Sequence, residues 1–216
     1  MAHEPDIKTK ETARLEMFSD GVFAIAITLL VLELITTLHP ESEEGLTETL
    51  LHHWRTFLAF IIGFITILIC WINHHIALEY IRRVDTNFMW INGFLLFVVT
   101  ITPFSTAILA QYLAKEGSTA VAFFAFNYIL IALAAYCICT YAYNRRLIAD
   151  DDRDSFYPYI QIYRFGIFYN MAAFLLCFVS IVIPLILFVL LFIAFAAPKK
   201  LVTRVSKWRS GKKRNK

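Results

Sequence analysis

Asp20, Glu33, Asn73, His74 and His75 are polar side chains set inside, or at the edge of, long apolar runs. An ionisable group at membrane depth costs about 2.5–3.5 kcal/mol even on a lenient insertion scale, so each must have a partner or a task. Three chemistries are open to this set. A carboxylate and an imidazole at matching depth can form a hydrogen-bonded clasp between two helices. The same pair can relay a proton, because histidine titrates near neutral pH. The third is metal ligation, since His75 and Glu79 have the i, i+4 spacing of helical ligands. The glutamate that separates paired histidines in a zinc protease is missing, and His52 and His53 fall at the opposite end of their run, so no metal or other cofactor is expected. The sequence has no GxSxG elbow and no serine beside a convincing base, which argues against an enzyme. It also has no P-loop and no TVGYG-type filter.

The elements that carry these residues follow from composition. The chain has 216 residues, 59% hydrophobic and 17% charged, with a mean hydropathy of +0.62. Soluble domains run nearer ~45–50% apolar and ~25% charged, so a water-soluble globule and a disordered chain are both excluded. No polar linker divides the apolar stretches. The expected organisation is therefore one all-α membrane domain over residues 1–200, followed by a basic tail over 201–216. Cys70, Cys137, Cys139 and Cys177 lie within apolar runs and read as packing residues. Lys8, Lys10 and Arg14 precede the first run as in a signal peptide, but no small-residue cleavage site follows, so the run is expected to stay as a first span.

A hydrocarbon core of ~30 Å takes about 20 helical residues to cross. Runs of that order extend from Gly21 to Leu38, Leu50 to Ala77, Phe88 to Leu113 with Pro103 inside, and Ala120 to Tyr143. The last run, Phe165 to Ala197, is long for one crossing and short for two, with Pro184 as a candidate break. Charge decides between these, because cytoplasmic loops carry the Lys/Arg excess. Basic residues precede span one, follow span two (Arg82, Arg83) and follow span four (Arg145, Arg146, Arg153, Arg164), while the alternate loops hold Glu41, Glu43, Glu44 and Glu48, or the single Lys115. Splitting the last run near Pro184 returns the basic tail to the same side. Six transmembrane helices with N- and C-termini cytoplasmic are predicted. The tail, including Lys212, Lys213 and Arg214, is read as a topology and lipid-headgroup determinant with no nucleic-acid partner. The acidic stretch Asp150 to Asp154 lacks calcium-loop spacing and reads as a solvated loop.

Span one runs outward and span two returns, so Asp20 and the histidine pair lie at similar depth and can meet. His74 is preferred over His75 as the partner, since adjacent residues on a helix cannot both face Asp20. At 100° per residue, Asp20 points about 140° from Ile25, while Thr28, Leu29 and Leu32 fall within about 60° of it. The first span therefore has a polar face with Ser19 and Asp20, and an opposite stripe of Ile25, Thr28, Leu29, Leu32 and Thr36. Periodicity alone leaves that stripe open to ordinary packing or lipid contact.

The run Arg14-Leu15-Glu16-Met17-Phe18-Ser19-Asp20-Gly21, followed by the helix Val22 to Leu34, resembles the RxxxFSD signature of the transmembrane protein 175 family. Trp71, Asn73 and His74 resemble that family's second polar cluster. The resemblance implies a potassium channel without a filter loop, in the cell membrane. Chain length is similar to the prokaryotic single-repeat members, which form homotetramers. It further implies a pore lined by the first helix of each subunit. Ile25, Leu29 and Leu32 would then be stacked hydrophobic rings, Thr28 a hydroxyl layer, and Arg14, Phe18, Ser19, Asp20, Trp71, Asn73 and His74 a polar brace. Its partners would be potassium ions, the lipid bilayer and further copies of the chain. The rival reading is a small proton-coupled transporter, or a proton-conducting channel, using Asp20 and His74, with Glu33 as a further carrier. Internal inverted repeats and helices broken by paired Gly/Pro are not seen in the sequence, though Pro103 and Pro184 leave room.

Overall fold

A computed structural model of the chain describes residues 7–37 and 45–196. The basic tail, the Glu41 to Glu44 loop and the Glu33 side chain lie outside the described residues. Seven α-helices are present among those described: α1 Ile7–Thr37, α2 Leu46–His52, α3 Trp54–Glu79, α4 Thr86–Tyr112, α5 Gly117–Asn144, α6 Arg153–Leu176 and α7 Val182–Phe195. No strand occurs among them, and Ile81 and Ile148 form one isolated bridge. α1, α3, α4 and α5 are long and apolar enough to cross a membrane.

Burial sorts these four helices. Of their most apolar stretches, 56% of α4 and 50% of α5 is buried within the chain, against 24% of α1 and 28% of α3. α4 and α5 therefore form the centre of the helix bundle. α5 packs along α4 and α6, while α1 lies against α3 and α4, and α7 against α6 and α3. Phe23, Phe88, Phe156 and Tyr159 fill one end of the core; Phe124, Tyr128 and Phe188 fill the other. Where α1, α3 and α4 meet, Gly63 permits close approach. A Cβ there would stand 2.8 Å from Leu30 Cδ2 and 3.1 Å from Thr106 Cγ2.

Local chemistry sets the helix ends. Asp85 N-caps α4, its Oδ1 accepting the Phe88 N–H at 2.8 Å, and both its oxygens also accept the Tyr141 hydroxyl, at 3.1 and 3.0 Å. α5 ends in a Schellman turn: the Leu147 N–H reaches the Ala142 carbonyl at 3.0 Å, with Arg146 at φ 54° where glycine is usual. The α3–α4 and α5–α6 loops are joined by the Arg82 N–H to the Leu147 carbonyl, 2.9 Å, and by Arg83 Nη2 to the Arg146 carbonyl, 3.2 Å. These basic loops thus share one end of the bundle.

The last apolar run does split, but at residues 177–181, upstream of Pro184. Pro184 is the third residue of α7, within the first turn, where its missing N–H would have had no helical acceptor. At ~1.5 Å per residue, α7 is only about 21 Å long. α6 begins at Arg153, well before the expected Phe165, because Phe156, Tyr159, Tyr163, Gly166, Asn170 and Ala173 form one buried stripe at helical spacing. Arg153 and Arg164 therefore belong to a helix and not to a loop.

Candidate functional site

α1 has one face inside the bundle and one outside. Ser19, Phe23, Ala26 and Leu30 recur at helical spacing and are 0–2% exposed. On the other side Ile25 is 60% exposed, Leu32 56% and Leu29 40%, with Thr28 also exposed. The Thr28 hydroxyl donates to the Ile25 carbonyl at 2.8 Å. Its proton is thereby committed to the backbone, which leaves the oxygen lone pairs as acceptors on the outer face.

The polar residues at the Ser19 end divide into two sets of contacts. Trp71 Nε1 donates to Asp20 Oδ1 at 2.8 Å, and the Trp71 ring stacks on His75 with centroids 5.8 Å apart. His75 Nδ1 lies 3.1 Å from Glu16 Oε1, and its Nε2 lies 3.9 Å from Glu79 Oε1. The second set is a directional chain. Ser19 donates to the Leu15 carbonyl at 2.8 Å, so its oxygen accepts from Asn92 Nδ2 at 3.0 Å. That turns Asn92 Oδ1 toward His74 Nε2, which donates to it at 2.7 Å. Asn73 Nδ2 donates to the Ile69 carbonyl at 2.7 Å and to the Phe195 carbonyl at 3.2 Å, tying α3 to the end of α7.

The expected Asp20–His74 pair is therefore replaced by two others, Asp20–Trp71 and His74–Asn92. α1 packs against α3 and α4 together, and adjacent residues on a helix diverge by about 100°. Ser19 consequently turns to α4 and Asp20 to α3. Trp71 and His75, four apart on α3, share a face on the α1 side. Arg14 is exposed and Phe18 is 63% exposed, and neither joins the clasp. The sequence does not single out Asn92, a neutral amide, or Glu16, a carboxylate that precedes the apolar run beginning at Gly21 and so carries no membrane-depth signal. An amide just inside the start of the Phe88 to Leu113 run was the available signal for Asn92. Among the described residues, no three His, Cys, Asp or Glu side chains converge on a metal-binding geometry.

A membrane protein that is helical throughout its described core, with α1 clasped on one face and bare on the other, is the class that this architecture defines. Residues 14–103 match the family described as endosomal/lysosomal potassium channel TMEM175. A Chamaesiphon minutus protein described as a potassium channel is 41% identical over 175 residues, covering 79% of this chain and 86% of its own length. A Streptomyces collinus potassium channel is 40% identical over 124 residues, 57% of this chain and 60% of its own. The crystal structure of a lysosomal potassium-selective channel TMEM175 homolog from Chamaesiphon minutus is similar at a TM-score of 0.78 and 37% identity. It covers 88% of this chain and 98% of that one. The chain belongs to the TMEM175 family.

Proposed function

We propose that the chain is one subunit of a homotetrameric potassium-selective channel without a filter loop, its central pore lined by α1 of each subunit. The observation that supports this most is the bare stripe on α1. Ile25, Leu29 and Leu32 are apolar yet exposed, on a helix whose opposite face is firmly clasped. In a ring of copies they would stack as hydrophobic constrictions with a Thr28 oxygen layer between them. A narrow hydrophobic ring gates by dewetting and makes a passing ion shed water. Potassium holds its water less strongly than sodium and would be favoured, with the Thr28 oxygens offering partial replacement. Selectivity built this way is modest.

In the same reading, Ser19, Asp20, Trp71, Asn73 and His74 hold α1 in register, and Arg14 and Phe18, bare in one subunit, face neighbouring copies. α6 and α7 are spans five and six. Their turn at 177–181 meets Gly117 at the start of α5, and Phe195 returns to Asn73, near the end of the bundle that carries the basic loops. An even number of spans with both termini cytoplasmic follows, in a prokaryotic plasma membrane, with residues 1–200 as channel domain and 201–216 as basic tail. The positive-inside tendency supports that orientation.

The test is cation flux from proteoliposomes at fixed pH, comparing potassium with sodium and including Ile25→Asn. Faster potassium flux, with higher leak and altered selectivity in Ile25→Asn, is expected. Flux of neither ion unless a proton gradient is imposed would overturn the channel reading. Proton conduction is the second reading, favoured by a Gallus gallus relative described as an endosomal/lysosomal proton channel, 35% identical over 77 residues that make up 15% of its length. Proton current that persists without permeant metal cations would support it.

A further inference from the structure

Behind the clasp, among α3, α4, α5, α6 and α7, lies a void of about 90 Å³. Ala132, Ala135, Ile138, Cys139 and Leu191 give it largely apolar walls, and the polar residues at its edge are mostly engaged elsewhere. Thr66 pairs with the Tyr128 hydroxyl, and Asn73 with two backbone carbonyls. Tyr163, which carries a hydroxyl, also lines the void, and two buried acceptors stand out. His74 and Asn170 both line the void and are 4% and 3% exposed, and His74 Nδ1 and Asn170 Oδ1 have no hydrogen-bond partner. The His74 acceptor follows from the clasp itself. Donation from Nε2 to Asn92 Oδ1 fixes the neutral tautomer, leaving a lone pair on Nδ1.

We propose that this void is a binding site for a small neutral hydroxyl compound. Its apolar body would fill the space between the alanine faces of α5 and the glycine of α6, and its O–H would donate to His74 Nδ1 or Asn170 Oδ1. The dimensions set the size. An apolar cavity of about 150 Å³ admits benzene, and one water takes a share of about 30 Å³, so this void suits a guest of roughly three or four non-hydrogen atoms. The apolar walls leave room for few waters, because each needs two to four polar partners; a single water donating to the open acceptors is the competitor that the guest must displace. A charged guest is disfavoured because no charged side chain lines the void. Binding at His74 would add a donor to the far end of the chain His74, Asn92, Ser19, and so act on the anchorage of α1.

The purified full-length protein in detergent is titrated with 1-propanol and with 1-chloropropane, which has nearly the same shape and no donor, by ligand-observed saturation-transfer NMR. Two variants accompany it. Gly166→Ala narrows the void without a clash, since the new methyl meets the Phe195 ring at an ordinary 3.8 Å. Asn170→Leu removes one acceptor. Saturable 1-propanol binding is expected, at least tenfold weaker in Gly166→Ala, and stronger than that of 1-chloropropane once each guest's own partitioning out of water is divided out. Asn170→Leu should narrow the difference between the two guests. Non-saturable uptake, equal binding of both guests on that scale, or full binding in Gly166→Ala would overturn the proposal. Because the readout is binding in detergent, failure of the channel reading would leave this result standing.

Discussion

Asn92→Leu should damage the protein more than the joint loss of Asn92 and His74. Asn92 is fully buried and makes two hydrogen bonds, 2.7 Å to His74 and 3.0 Å to Ser19. Hydrogen bonds between membrane helices average ~0.6 kcal/mol in net worth, so losing two costs about 1.2 kcal/mol. The substitution also strands the His74 Nε2–H without an acceptor, which adds about 1–3 kcal/mol. The sum, about 2–4 kcal/mol, shifts the folding equilibrium roughly thirtyfold or more. Ser19 loses a donor but keeps its own bond to Leu15, so it adds little. In Asn92→Leu/His74→Phe no donor is stranded, and the ring at 74 still packs against Phe23, whose centroid lies 5.4 Å away. The cost should then fall to about 1 kcal/mol, since replacing both partners by apolar groups of similar shape is nearly neutral. Reversible unfolding in bicelles, titrated with a denaturing detergent, measures both values. A single variant within about 0.5 kcal/mol of the parent, or a double variant as costly as two independent losses, would refute the directional clasp.

Three further outcomes follow from the same geometry. Trp71→Phe removes the donor to Asp20 and should cost about 1.5–3 kcal/mol in the same unfolding assay, with partial recovery when Asp20→Asn is added, because an amide no longer leaves a charge unpaired. Gly63→Ala places a methyl against Leu30 and Thr106; overpacking of about 1–3 kcal/mol exceeds the gain in helix propensity of about 1 kcal/mol, and Leu30→Val should relieve it, as unfolding of the double variant would report. Arg146→Gly should raise the melting temperature, since glycine relieves a left-handed residue costing about 1–2 kcal/mol while its carbonyl still accepts from Arg83. A neutral or lower melting temperature would mean that the Arg146 side chain contributes at least as much as its backbone costs.

By itself the sequence determined the class, the first four spans and the two-faced character of α1. Hydropathy and helical periodicity are local properties, and a 100° step separates Ile25 from Asp20 whatever surrounds them. It also marked the need to break the last apolar run, because length and loop charge must both be satisfied. What it left open depended on which helix lies beside which. Ser19 and Asp20 are neighbours in the chain, yet they take partners on different helices, and only the wedging of α1 between α3 and α4 assigns Asn92 to one and Trp71 to the other. The break at 177–181 followed from Pro184 being accommodated in a first turn, and the early start of α6 from a buried stripe that begins upstream of the apolar run. The void beside His74 was invisible for the same reason. It is bounded by residues from five helices, and the space left between packed helices is a property of their arrangement in three dimensions and not of any one segment.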